Sequence, residues 1–131
     1  MNDQHKHWAY LVIRLALGVN FFLHGLVRFP KLNQFAENIG KGFQETMIPT
    51  EIAVSYGYVI PFIEALVGIA LILGIFTSRV LLIGGLFMST LIVGKAMQQD
   101  WGTLGTQMVY VLTFYFLLRD AHLNKWELVK D

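Results

Sequence analysis

Seven polar side chains stand inside otherwise apolar runs of this 131-residue sequence: Arg14, Asn20, His24, Arg28, Glu64, Lys95 and Gln107. An imidazole and a carboxylate can accept and return protons, which makes His24 and Glu64 the candidate catalytic pair. The remaining five, Arg14, Asn20, Arg28, Lys95 and Gln107, carry guanidinium, ammonium or amide donors and form the candidate substrate-binding set. Positive charge among them suits an anionic or carbonyl-bearing ligand, such as a quinone, whose oxygens would accept hydrogen bonds from His24 and Arg28. The same charge disfavours a metal, because Arg28 and Lys95 would repel a cation beside His24, Glu64 and Asn20. A bis-histidine haem within one chain is not expected either, since His5, His7 and His122 lie in the tails.

The elements that must position these groups are helices long enough to cross a bilayer. Residues 8–29 form an apolar run without proline, about 33 Å as helix. Along it Asn20, His24 and Arg28 recur every fourth residue, so they stack on one side, with Arg14 on the same broad face. Ionisable groups at membrane depth cost at least about 2.5–3.5 kcal/mol each unless paired or wet, so this face should point into a bundle and find partners there. Three further apolar runs follow at 52–76, 80–97 and 104–118. Glu64 lies near the middle of the second, one turn after Pro61, and Gly57, Pro61, Glu64 and Gly68 share a face. The third carries Gly84, Gly85 and Ser89 and ends at Lys95. The fourth places Gln107, Tyr110 and Phe114 on one face. Between the first two runs, Leu32, Phe35, Ala36, Ile39, Phe43 and Met47 recur at three- and four-residue steps, which reads as an amphipathic surface helix over 31–50 or as an apolar loop.

Composition agrees. Apolar residues make up 55% of the chain and charged residues 15%, which gives one integral membrane domain over residues 1–131 rather than a soluble one. The expected fold is therefore an all-α, four-span bundle with an amphipathic helix between spans 1 and 2. A net charge of +1 gives no electrostatic case for nucleic acid, and the absence of cysteine excludes disulfides, thiol nucleophiles and thiolate-held clusters. The first span has no cleavage site of the A-x-A kind and reads as retained. Lys6, Arg79, Arg119, Lys125 and Lys130 would gather on the cytoplasmic side if both termini lie there. In either orientation, Asn20, His24, Arg28, Glu64, Lys95 and Gln107 fall between mid-membrane and the same surface. Two readings stay open for them: a ligand pocket lidded by 31–50, or a structural network in which Glu64 pairs with Arg14 or Arg28.

Arg14 with Gly18, then His24-Gly25 and Arg28, then Glu64, Gly68 and Gly74 with Thr77 and Arg79, together resemble the DoxX/DoxD family of small four-span membrane proteins. The likeness covers nearly the whole chain in length, order of spans and the long first connection. Two departures are Arg28, where lysine is expected, and Arg119-Asp120-Ala121-His122, where a glycine-rich turn is common. The resemblance implies a bundle in a bacterial cytoplasmic membrane and an association with redox work, because one branch forms the small subunit of a thiosulfate:quinone oxidoreductase. It carries over to Arg14, His24, Arg28 and Glu64. Without cysteine or a complete cofactor motif, the chain would hold no cofactor of its own beyond a quinone and would act with a partner subunit. The alternatives are a non-enzymatic scaffold or small-molecule carrier, and an anion transporter made symmetric as a homodimer.

Overall fold

The structure, a computed structural model, describes residues 2–131 and is helical almost throughout. Its helices are α1 (Asp3–Leu26), α2 (Leu32–Gly42), α3 (Thr50–Leu73), α4 (Thr77–Met97) and α5 (Trp101–Arg119). Single 3-10 turns at Phe29–Lys31 and Ala121–Leu123 follow α1 and α5. The four long helices form a closed antiparallel ring: α1 packs on α3, α3 on α4, α4 on α5, and α5 back on α1. The core is apolar, built from residues such as Leu17, Phe21, Val67, Leu71, Leu81 and Phe114. Large apolar side chains also cover the outside of the ring, among them Val12, Leu66, Leu86 and Val109. Lipid is the solvent that suits such a surface. Among the described residues, three helical stretches are long and apolar enough to cross a membrane: Asp3–Gly42, Thr50–Leu73 and Thr77–Met97. The chain is a multi-pass membrane protein. The 19-residue α5 is not one of the three, because Thr103, Thr106, Gln107 and Thr113 dilute its apolar content.

The tightest helix contact is made by α1 and α3. A Cβ on Gly68 would lie 2.2 Å from the backbone nitrogen of Phe22, so only glycine lets the two backbones approach this closely. Pro61 is accommodated inside a continuous α3, and Gly57, Pro61, Glu64 and Gly68 are all buried on the face that receives α1 and α2. The amphipathic connection is helical only over Leu32–Gly42, and its buried positions are Ala36 and Gly40. Glycines 40 and 42 weaken the helix there and Pro49 caps the next, so residues 43–48 turn rather than continue.

Side chains mark several helix starts. Asn2 accepts from His5 N at 2.9 Å to open α1, and Asp100 accepts from Thr103 N at 3.3 Å to open α5. The second apolar run stops being helix at Leu73, before Ile75 and Phe76, because Gly74 takes a left-handed φ of 72°. The chain after α5 then returns to this corner. Leu128 N donates to the Leu73 and Gly74 carbonyls, Phe76 N donates to Val129 O at 2.9 Å, and Ser78 N donates to the Asp131 carboxylate at 3.0 Å. Trp126 also stacks on Trp8, with ring centroids 4.5 Å apart.

Candidate functional site

A cavity of about 220 Å³ lies inside the bundle at the end opposite the chain termini, lined by α1, α3, α4 and α5. Asn20, His24 and Arg28 reach it from α1 and the turn that follows, because their four-residue spacing survives as one stripe. Glu64 reaches it from the middle of α3, and Thr103, Thr106, Gln107 and Tyr110 form a matching stripe on α5. Phe21, Phe87, Met88 and Leu91 supply apolar walls.

Hydrogen bonding gives each polar group a definite state. The Arg28 guanidinium bonds and ion-pairs with Glu64 Oε1, and it lies over the Phe35 ring of α2 at 4.3 Å. The Glu64 side chain is 9% exposed and that of Arg28 27%, so the pair is anchored at its acidic end. Of the two pairings left open for Glu64, Arg28 is the partner. His24 Nδ1 lies 2.8 Å from the Asn20 carbonyl one turn back. A carbonyl oxygen only accepts, so Nδ1 carries a proton and Nε2 is the ring nitrogen left for chemistry. The Asn20 amide donates to the Tyr110 hydroxyl at 3.1 Å. Gln107 Oε1 is buried and has no donor among the described residues. An empty acceptor of this kind costs about 1–3 kcal/mol unless something fills it.

Two of the expected binding residues are placed elsewhere. Lys95 bonds Gln98 Oε1 at 3.2 Å and pairs with Asp100 at 3.6 Å, beside a smaller cavity of about 50 Å³ that it shares with Gln107, Leu91, Ile39 and Phe43. Asp100 is held below the usual carboxylate range by hydrogen bonds from Thr103 and by the Lys95 charge. Arg14 does not reach the cavity. It is 2% exposed at the other end of the bundle, where Nη1 donates to Asn124 Oδ1 and to the Trp126 carbonyl. Depth along the helix explains this: Arg14 lies about 9 Å before Asn20, and at that level it meets the returning tail instead. Thr103 and Thr106 also line the cavity and were not expected from residue type, although their spacing to Gln107 and Tyr110 is that of one helix face.

A family model described as DoxX matches residues 9–95, two thirds of the chain. The chain belongs to the DoxX family. The matched segment of this DoxX protein holds Asn20, His24, Arg28, Glu64 and Lys95, and it ends before α5 contributes its stripe. Comparison with curated proteins and with solved structures gave no match.

Proposed function

We propose that this DoxX protein is a four-span subunit of the bacterial cytoplasmic membrane, with both termini cytoplasmic, that works beside a partner in a quinone-linked oxidoreductase. In this reading α5 is the fourth span. Its length is about 28 Å, and the stripe that lowers its apolar content faces the cavity rather than lipid.

The observation that carries the reading is the chemistry of the cavity: a free His24 Nε2 and an unfilled Gln107 Oε1 among apolar walls. A cavity of roughly 150 Å³ can hold a benzene ring, so 220 Å³ suits a substituted ring. Charge favours a quinone over a small anion. Arg28 is offset by Glu64 and Lys95 by Asp100, so little positive charge remains unspent. His24 Nε2 would take a proton from a hydroquinone oxygen or, once protonated, return one to a quinone oxygen. Gln107 Oε1 would accept from the second hydroxyl, Arg28 would hold the head group by hydrogen bonds, and Glu64 would accept or relay the proton. Electrons would pass to or from the partner.

A second reading has its own support. The Arg28–Glu64 pair is complete without any ligand, as expected of a scaffold or carrier whose charges fix helix register. The two separate by mass spectrometry of gently purified protein for bound quinone, run beside a His24→Ala, Glu64→Ala double variant. Quinone on the native chain, lost from a variant that stays folded, supports the redox subunit. No ligand on either, with the variant unfolding in detergent, supports the scaffold.

A further inference from the structure

The ring of helices is not equally tight all round. Between α1 and α5 the contacts crowd toward the end that holds the termini. Tyr10 OH donates to the Leu117 carbonyl at 2.8 Å, and Phe21 meets Phe114 edge-on at 5.3 Å. The last tie is the Asn20–Tyr110 hydrogen bond. Beyond it the helices part: Phe114 and Leu117 are the buried residues of α5, and none of residues 101–110 is buried. His24 on one side and Thr103 and Thr106 on the other are exposed although they line the cavity. A separate, smaller cavity of about 50 Å³ lies among Ile39, Phe43, Lys95 and Gln98, and Arg28 lies over Phe35 on the α2 side.

We infer that the cavity opens sideways into the bilayer between α1 and α5, and that its occupant is an amphiphile whose polar head sits at His24 and Gln107 while its aliphatic chain leaves past Thr106. This rests on the four-span reading above. Thr106 lies about 7 Å along α5 from Trp101, so the mouth falls below an interfacial tryptophan, at acyl-chain rather than headgroup depth. The rim suits such traffic. Val19 and Leu23 on α1, and Val109 three residues on from Thr106 on α5, are apolar and exposed.

The absence of cysteine gives a clean background for the test. A nitroxide placed through Thr106→Cys in liposomes should collide several-fold more with oxygen than with a polar nickel complex. It should match a lipid reference at Leu66→Cys and oppose an aqueous reference at Gln99→Cys. A benzoquinone with a ten-carbon chain bearing a terminal diazirine should then label Val19, Leu23 or Val109. Preferential collision with nickel at position 106, or labelling of Phe43 and Gln98, would overturn the lateral mouth. An oxygen-accessible label with no quinone adduct anywhere would retain the mouth and sink the quinone reading, so the two failures differ.

Discussion

Arg14 and Arg28 belong to one helix and the turn after it, and the two ends of the molecule treat them in opposite ways. Arg14 is almost fully enclosed and makes no salt bridge among the described residues. Its charge is spread over an amide oxygen and a backbone carbonyl from the returning tail. Around it the tail adds backbone hydrogen bonds to the α3–α4 corner and a stacked tryptophan pair. Arg28 keeps a quarter of its side chain exposed and spends its charge on a single buried carboxylate. Around it lie a bare ring nitrogen, an unfilled amide oxygen and a gap between helices. One end is closed over by the returning tail, even though Arg14 Nε and Thr77 Oγ1 stay buried there without partners, while the other sets its unfilled Gln107 Oε1 beside a cavity that a ligand can enter. Neither a buried charge nor an unfilled buried group marks a site by itself; an unfilled group that faces a cavity does.

Four substitutions test this contrast, and the largest effect belongs to Arg28→Met. It leaves Glu64 buried without its partner, and removing one member of a buried pair costs about 3–5 kcal/mol. Thermal unfolding in detergent should show that loss, and Arg28→Met with Glu64→Met should recover most of it. Gly74→Val attacks the closed end. It forces a β-branched residue into a left-handed backbone, for about 1–3 kcal/mol, and a Cβ there would sit 2.9 Å from the Trp126 carbonyl. The tail should become protease-sensitive while ligand binding at the far end persists. Equal loss of binding would show that the ends are coupled and the contrast false.

Asp100→Ala has a smaller effect with a distinct pH signature. Its carboxyl is held low in the folded state, so its contribution is present above the ordinary carboxylate pKa of about 3.9 and disappears as pH falls through the lower folded value. The native chain and the variant should differ in stability at about pH 6, above that ordinary value, and converge in acid. His24→Ala should move stability least, within about 0.5 kcal/mol for an exposed residue, yet abolish binding of a quinone head group. A His24→Ala chain that binds normally would remove the open end's claim to chemistry.

The cavity stripe was readable in the sequence because helical period is a local property: Asn20, His24 and Arg28 needed only their spacing. A partner for Glu64 was also foreseeable, since a carboxylate in an apolar run must find one. Which arginine it found was not, because the two share a face and the choice depends on how far α1 is slid along α3. Lys95 had local partners in Gln98 and Asp100, three and five residues on, and these outweighed the distant cavity. The place of Arg14 was the least legible. Its acceptors lie 110 and 112 residues away in a segment with no helical period, and one of them is a backbone carbonyl that residue type does not announce.

That separation also sets an order of events during synthesis. At about 5–20 residues per second, the 110 residues from Arg14 to Asn124 take between roughly 5 and 20 s to make. Through that interval the Arg14 guanidinium lacks the two tail acceptors that it has in the finished fold. Release into lipid and final fastening are thus separate steps, and the second waits until Asn124 and Trp126 have emerged. A chain truncated before Asn124 should still insert but unfold in detergent at a lower temperature than the finished protein.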